Sequence, residues 1–396
     1  MHTPDAPGDA TLAMGRRAMA ALLGVDALYR AESGDGDGLA VLNMDTEGRH
    51  APEAFATYDE ARRCFEELRA DAAHLPEEDR RAYYDDLCHS TLAFLSWRTG
   101  GLPFGRQLGD FLHVPVAPAG DEELDALRAD LHRLLGKLGY GGDLADRCRA
   151  WEARNRVAPG DVPEVLRGLL DEAWERTEDR LLPIPAPRSD GMKVAAVTGV
   201  AFNARCDYLR RTIELNVDPV LTRPALKHLA VHEGYPGHYV QFKLRETRAA
   251  EGSAPADVLL SVVNTASSSV FEGIADAGME AVAWADSADD RVQLLLNRYR
   301  AGIGTVAAWR LHAQGRPQAE VSDWLRAHAL VGGEGWVDNR MRFIAAPPRA
   351  ALIWSYWWGE PTVTAAWRRV PEGRRAEFAR WLYGRMHSNQ SVGMFR

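Results

Sequence analysis

The chain has 396 residues, 46% of them hydrophobic and 26% charged, and carries a formal net charge of −9. A chain of this size buries a large core, in one domain or two closely packed ones, and its interspersed acidic and basic residues argue against nucleic acid or an anionic membrane as partner. No apolar run approaches the roughly 20 residues of a membrane span, the N-terminus lacks the pattern of a signal peptide, and Cys64, Cys88, Cys148 and Cys206 form no C-x-x-C pair, so a reduced, cytoplasmic protein is expected.

Residues 1–181 read as a helical region. Amphipathic segments such as AFATYDEARRCFEELRADAAHL and DEELDALRADLHRLLGKLGY are rich in Ala, Leu, Glu and Arg, with Pro or Gly at the breaks. Residues 182–191 carry Pro183, Pro185 and Pro187, cannot be helical, and mark a connection. The remainder, 192–396, is read as the metal-binding catalytic region, packed intimately with the first. It contains one alternating stretch: Ile213, Leu215 and Val217 face one side, and Thr212, Glu214 and Asn216 the other. This predicts a half-buried strand over Arg211 to Val217, closed by Asp218-Pro219. A helix then starts near Thr222.

That helix carries HEGYPGHYVQ, from His232 to Gln241. Neutral imidazoles are the commonest zinc ligands, and a glutamate directly after the first is where zinc hydrolases keep their general base. His232 and His238 are six residues apart, roughly 600° of helical rotation, whereas the ligands of His-Glu-x-x-His share one face. Pro236 cannot donate the hydrogen bond that the His232 carbonyl would accept, and Gly237 permits backbone angles closed to other residues. The helix is expected to open or bulge here and let His238 swing back toward His232. His228 makes a competing pair with His232, but the adjacent Lys227 suggests an exposed flank, and it is left out of the site.

Downstream, Glu272, Asp276 and Glu280 recur every four residues on one helical face. That helix is apolar or small nearly all round and has no Lys or Arg from Ser267 to Trp284. A carboxylate on it is therefore expected to be buried and to need a cation or strong hydrogen bonds, and a metal would supply the cation. Glu272 becomes the third metal ligand, and Asp276, one turn on, a hydrogen-bond partner for a ligating imidazole. The C-terminal part is again helical, interrupted near Pro347-Pro348, and holds many of the 12 tryptophans.

HEGYPGHYVQ followed by FEGIADAGME resembles the DUF885 proteins, helical zincin-like metallohydrolases with the signature His-Glu-x-x-Pro-Gly-His-His-x-Gln and then Glu-Gly-Trp-Ala. RLHAQGRPQAEV is similar to the family's Gly-Leu-His-x-x-Gly segment and aligns His312. PPRAALIWSYWWG is similar to its Pro-Gly-Gln-Ala-x-x-Tyr-x-x-Gly segment and aligns Tyr356 and Gly359, with Arg342 just ahead. The resemblance runs from about residue 205 to the C-terminus. Tyr239 replaces the second paired histidine, Ile274 replaces the tryptophan, and Ala308 stands near the place of an acidic residue. Against that family the chain is expected to be a short member without the secretory leader that many carry.

The resemblance implies a mainly α, gluzincin-like helical metallohydrolase with a small β-sheet edging the active-site cleft. The Arg211–Val217 strand would be the substrate-lining edge, open to strand addition by an extended peptide. The expected activity is zinc-dependent hydrolysis of an amide or peptide bond in a small molecule or short peptide. His232, His238 and Glu272 would hold Zn2+, with Fe2+ or another divalent metal as alternatives, and Glu233 would be the general base. By family analogy Tyr356 would donate to the oxyanion, and His312 or Arg342 would orient or neutralise the substrate. The competing readings are a metal-dependent biosynthetic enzyme (elimination, cyclisation or non-haem iron oxidation on the same His2Glu set) and an inactive binding protein on the same scaffold. No oligomeric state follows from the sequence.

Overall fold

The computed structural model describes residues 7–33 and 39–396. The chain divides into two units, one built from residues up to Val116, Gln241–Glu272 and Thr362–Arg396, the other from Ala117–Val240 and Gly273–Pro361. The first unit opens with α1 (Asp9–Ser33), β1 (Ala40–Asn43), α2 (Tyr58–Ala72), α3 (Glu78–Gly100) and α4 (Phe104–Leu112). The second begins with α5 (Asp121–Lys137), α6 (Leu144–Asn155) and α7 (Val162–Arg180). A small sheet follows, made of β2 (Lys193–Val197), β3 (Ala204–Asp207) and β4 (Thr212–Asn216), and then α8 (Arg223–Leu229). After α9 (His238–Ala250) comes β5 (Leu260–Val262), which pairs antiparallel with β1. Next are α10 (Ser268–Asp276), α11 (Gly278–Ala281), α12 (Ala288–His312), α13 (Gln318–His328), α14 (Gly333–Ala345) and α15 (Pro347–Ala350). The chain ends with α16 (Ile353–Arg369) and α17 (Arg375–Tyr383). The division falls inside α9, α10 and α16. It does not fall at the expected 182–191 connection, which lies within the second unit because α7 before it packs on β2 after it.

The protein is mainly helical with small sheets, as its patterning predicts. Helix α2 buries Ala61, Phe65, Leu68 and Ala72 along one stripe, and α5 buries Leu124, Leu131 and Leu135. Side-chain caps close the N-termini where the sequence offers them. Thr57 accepts from the Glu60 amide at α2, Thr222 from Ala225 at α8, and Ser287 with Asp290 forms a capping box at α12. Among the described helices none is long and apolar enough to cross a membrane. All four cysteines are free.

Strand β4 is the one read from the alternation, and it buries Ile213 and Leu215 completely. Its place differs from expectation. β4 is the central strand, parallel to β2 on one side and antiparallel to β3 on the other. Its backbone groups are taken by both neighbours, so strand addition at β4 is excluded. Strand β2 was not foreseen, because KVAAV is half exposed and shows no burial alternation.

Candidate metal centre

Helix α8 does not run on into α9. From Ala230 to Gly234 it widens into a π turn, closed by the Tyr235 amide donating to Ala230 O at 3.0 Å. Pro236 has no amide to offer, and the Gly237 amide reaches back to Val231 O at 2.9 Å. The chain thus opens where Pro-Gly predicts. The reason for Gly237 is different from the one expected: it is not among the positive-φ glycines. A Cβ there would stand 1.8 Å from His232 O and 2.3 Å from Val231 O, so the requirement is close backbone approach. Helix α9 then starts with His238, and the His232 and His238 rings sit 4.7 Å apart, edge to face at 81°.

Helix α10 presents the carboxylates. Glu272 lies at the point where α10 passes from one unit into the other, one turn before Asp276 on the same continuous helix. Ligand atoms of His232, His238 and Glu272 all lie within 4.8 Å of one another, and all three residues are buried. The Asp276 Oδ1 accepts from His232 Nδ1 at 2.8 Å and stands 3.4 Å from His228 Nε2. With Nδ1–H held by a carboxylate, the lone-pair nitrogen of His232 is Nε2. Burial works to raise the Asp276 carboxyl, but the His232 and His228 imidazoles override it and hold the group well below the usual carboxylate range. Two imidazoles, one buried carboxylate and a carboxylate fixing one tautomer make a donor set that suits a zinc-like divalent cation. His228, His232 and Asp276 form a second possible group, which shares His232 with the first.

Within the second unit His232 and Asp276 open on a cavity of about 800 Å3, whose wall also includes His228, Glu233, Arg340 and Tyr356. Glu233 is only 5% exposed, and its carboxylate has no hydrogen-bond or ion-pair partner among the described residues. Tyr356 arrives on α16, which crosses α10 so closely that a Cβ on Gly273 would lie 2.2 Å from Gly359 O. The neighbouring Trp354 and Trp357 are buried structural residues: the Trp354 indole donates to Ala117 O at 3.2 Å, and Arg298 stacks 3.5 Å from the Trp357 ring centroid. Tyr239, standing where the family has its second histidine, packs against Tyr235 and Tyr208 and donates to Asp190 O at 3.2 Å.

The structure therefore groups His232, His238 and Glu272, with Asp276 on His232, and lines one cavity with His232, Glu233, Asp276 and Tyr356. It does not bring His312 or Arg342 to the cavity wall. His312 Nε2 bonds Ile344 O at 2.6 Å, tying the end of α12 to α14, and Arg342 is exposed, with Nη1 3.5 Å from Val200 O. Two cavity residues were missed, His228 and Arg340. Lys227 is not on an exposed flank but buried, bonded to Asp290 at 2.7 Å and Asp286 at 2.9 Å and lying over Trp284. His228 beside it is buried and lines the cavity. Arg340, rather than Arg342, faces inward. Helical phase carried that signal, since Arg340 shares a face with Trp336 and Phe343.

No family model and no curated protein matches the chain. Solved structures do. One, described as a "putative lipoprotein" from Colwellia psychrerythraea, aligns with a TM-score of 0.58 at 12% identity, over 94% of this chain and 68% of that one. Another, a "putative lipoprotein of unknown function" from Shewanella oneidensis, aligns with a TM-score of 0.51 at 13% identity, over 85% of this chain and 70% of that one. At such identities the similarity is one of fold.

Proposed function

We infer that the protein is a metal-dependent hydrolase of an amide or peptide bond in a small molecule or short peptide, on a gluzincin-like scaffold of the DUF885 type. The observation that carries this is the position of Glu233. Its buried, unpartnered carboxylate faces the cavity directly beside His232 of the three-residue donor cluster. His232, His238 and Glu272 would hold a divalent cation, with zinc the best fit to two imidazoles and one carboxylate. Such a cation, when bound, supplies Lewis acidity that polarises a carbonyl and acidifies water.

The chain's own residues do the rest. Glu233 has no protein donor to satisfy it, so it is available to take a proton from water and return it to the leaving amine. Asp276 keeps His232 in one tautomer and orientation through the 2.8 Å contact. Tyr356, half-buried on the cavity wall, is placed to donate to the developing oxyanion. Buried aromatic side chains such as Trp336 add an apolar wall that excludes water from the polar end. Cytoplasmic residence belongs to the same proposal and is supported by the four free thiols.

The test combines metal content and turnover. Mass spectrometry should find about one zinc per chain in the wild type, lost in His238→Ala and Glu272→Ala. Glu233→Gln should keep the metal and lose hydrolysis of a library of N-acyl amino acids and dipeptides. Metal indifferent to the ligand variants would refute the centre. Turnover surviving Glu233→Gln would refute the base.

A further inference from the structure

The cavity contains a cation that the fold does not neutralise. Arg340 lies on α14 and lines the same wall as Glu233, His232 and Tyr356. Its Nε is sealed from solvent and has no hydrogen-bond partner. No carboxylate or carbonyl among the described residues pairs with its terminal nitrogens. What holds it is apolar and aromatic. The guanidinium carbon lies 5.5 Å from the Trp336 ring centroid and 5.7 Å from that of Phe343, and burial pushes its pKa down to about 10, with only Tyr356 pulling the other way. The other inward arginines differ. Arg298 donates to Trp357 O and stacks on that ring, and Arg300 donates to Val331 O at 2.7 Å with Glu152 near it.

We propose that Arg340 is a substrate anchor, binding a carboxylate of the molecule that occupies this cavity. A buried charge without a partner is costly, and a guanidinium stacked on aromatic rings with an open fork is preorganised for a planar, bidentate anion. Among the described residues Arg340 is the sheltered cation of this wall without an acceptor, which matches a monoanion, whereas Lys137 and Arg291 on the same wall are exposed to solvent. A phosphoryl dianion calls for more than one, and Arg298 and Arg300 already have acceptors. Placed on the wall that also carries Glu233, the anchor selects amides that bear a free carboxylate over neutral ones. That last step rests on the hydrolytic reading of Glu233, whereas the anion site itself does not.

The experiment is calorimetric titration of benzoate, its neutral isostere benzamide, and inorganic phosphate into the full chain at constant ionic strength. It is run on wild type, Arg340→Met and Arg340→Lys, with protein as purified and after chelation. Benzoate should bind saturably and about tenfold or more tighter than benzamide. The preference should vanish in Arg340→Met in both metal states and weaken in Arg340→Lys, which keeps the charge but not the fork. Arg340→Met should melt at or above the wild-type temperature, because an uncompensated, half-buried charge has been removed. The proposal is overturned by no saturable benzoate binding, by benzoate no tighter than benzamide, or by binding that survives Arg340→Met and so belongs to the metal. Phosphate binding tighter than benzoate through Arg340 would overturn the carboxylate assignment. If Arg340→Met fails to fold, undiminished benzoate affinity in Arg340→Lys serves as the refuting result. Because binding is read without turnover, intact Arg340-dependent binding in a protein that hydrolyses nothing would sink the hydrolytic reading alone.

Discussion

Gly237→Ala tests whether backbone approach at the Pro-Gly step builds the metal centre. The added Cβ would begin 1.8 Å from His232 O and 2.3 Å from Val231 O, where real Cβ contacts essentially never fall below 3.0 Å. The first contact alone demands a displacement of at least 3.0 − 1.8 = 1.2 Å. Both obstacles are backbone oxygens of the turn that carries His232, so neither can rotate away as a side chain would. Donor positions in a metal site tolerate about 0.2 Å, several times less than the forced shift. The expected result is loss of bound metal together with a destabilisation of about 1–3 kcal/mol, the usual cost of overpacking. Metal per chain after gel filtration and a urea melt read the two effects separately. Gly168→Ala is the control, because a Cβ there meets nothing within 4 Å in the middle of α7. It should leave metal unchanged and stability equal or higher by up to about 1 kcal/mol. A Gly237→Ala protein with full metal and wild-type stability would refute the account of the turn.

Asp276→Asn should keep the fold and weaken metal affinity by about 10–100-fold in a competition titration, because the His232 Nδ1 loses its carboxylate acceptor. His228→Gln should leave metal content unchanged if His232, His238 and Glu272 are the ligands, and metal lost in this variant would move the centre to the His228–His232–Asp276 group. Tyr356→Phe should lower kcat by about 10²-fold with metal retained if its hydroxyl serves the oxyanion, and an unchanged kcat would return it to a packing role. Lys227→Met strands the buried Asp290, 2.7 Å from the lost ammonium, and should cost about 3–5 kcal/mol in a denaturant melt.

The parts of this site that could be read from sequence are those whose physics is local. Pro236 removes an amide wherever it stands, so an opened helix between His232 and His238 follows from the letters alone. Thr222 caps α8 and Ile213 alternates with Glu214 for equally local reasons. What stayed hidden depends on partners far along the chain. Lys227 looked solvated because Asp286 and Asp290, which neutralise it, lie some sixty residues away. That error removed His228 from consideration. β4 looked like an edge because β2 has no pattern of its own, and a strand's place in a sheet is set by its neighbours. Arg340 and Arg342 are chemically identical, and only the helical phase shared with Trp336 separates the half-buried one from the exposed one.

The fold match assigns no chemistry, so the argument for a chemical role must come from costs this chain carries. Glu233 and Arg340 are opposite charges on one cavity wall, and neither has a partner among the described residues. A protein needing only a stable core would gain by replacing both with apolar side chains of similar volume, since unpaired buried charges oppose folding. They do not neutralise each other either, because no ion pair joins them. Separate charges of opposite sign within one cavity of about 800 Å3 suit a ligand with an anionic end and a reacting end that needs a proton carried to it. The candidate donor cluster adjoins Glu233 through His232, its neighbour in the chain. A purely structural metal site would have no use for an uncompensated carboxylate beside its ligand, nor for a second uncompensated group in the same cavity lining. The arrangement is that of a site held ready for its ligand at a cost in stability.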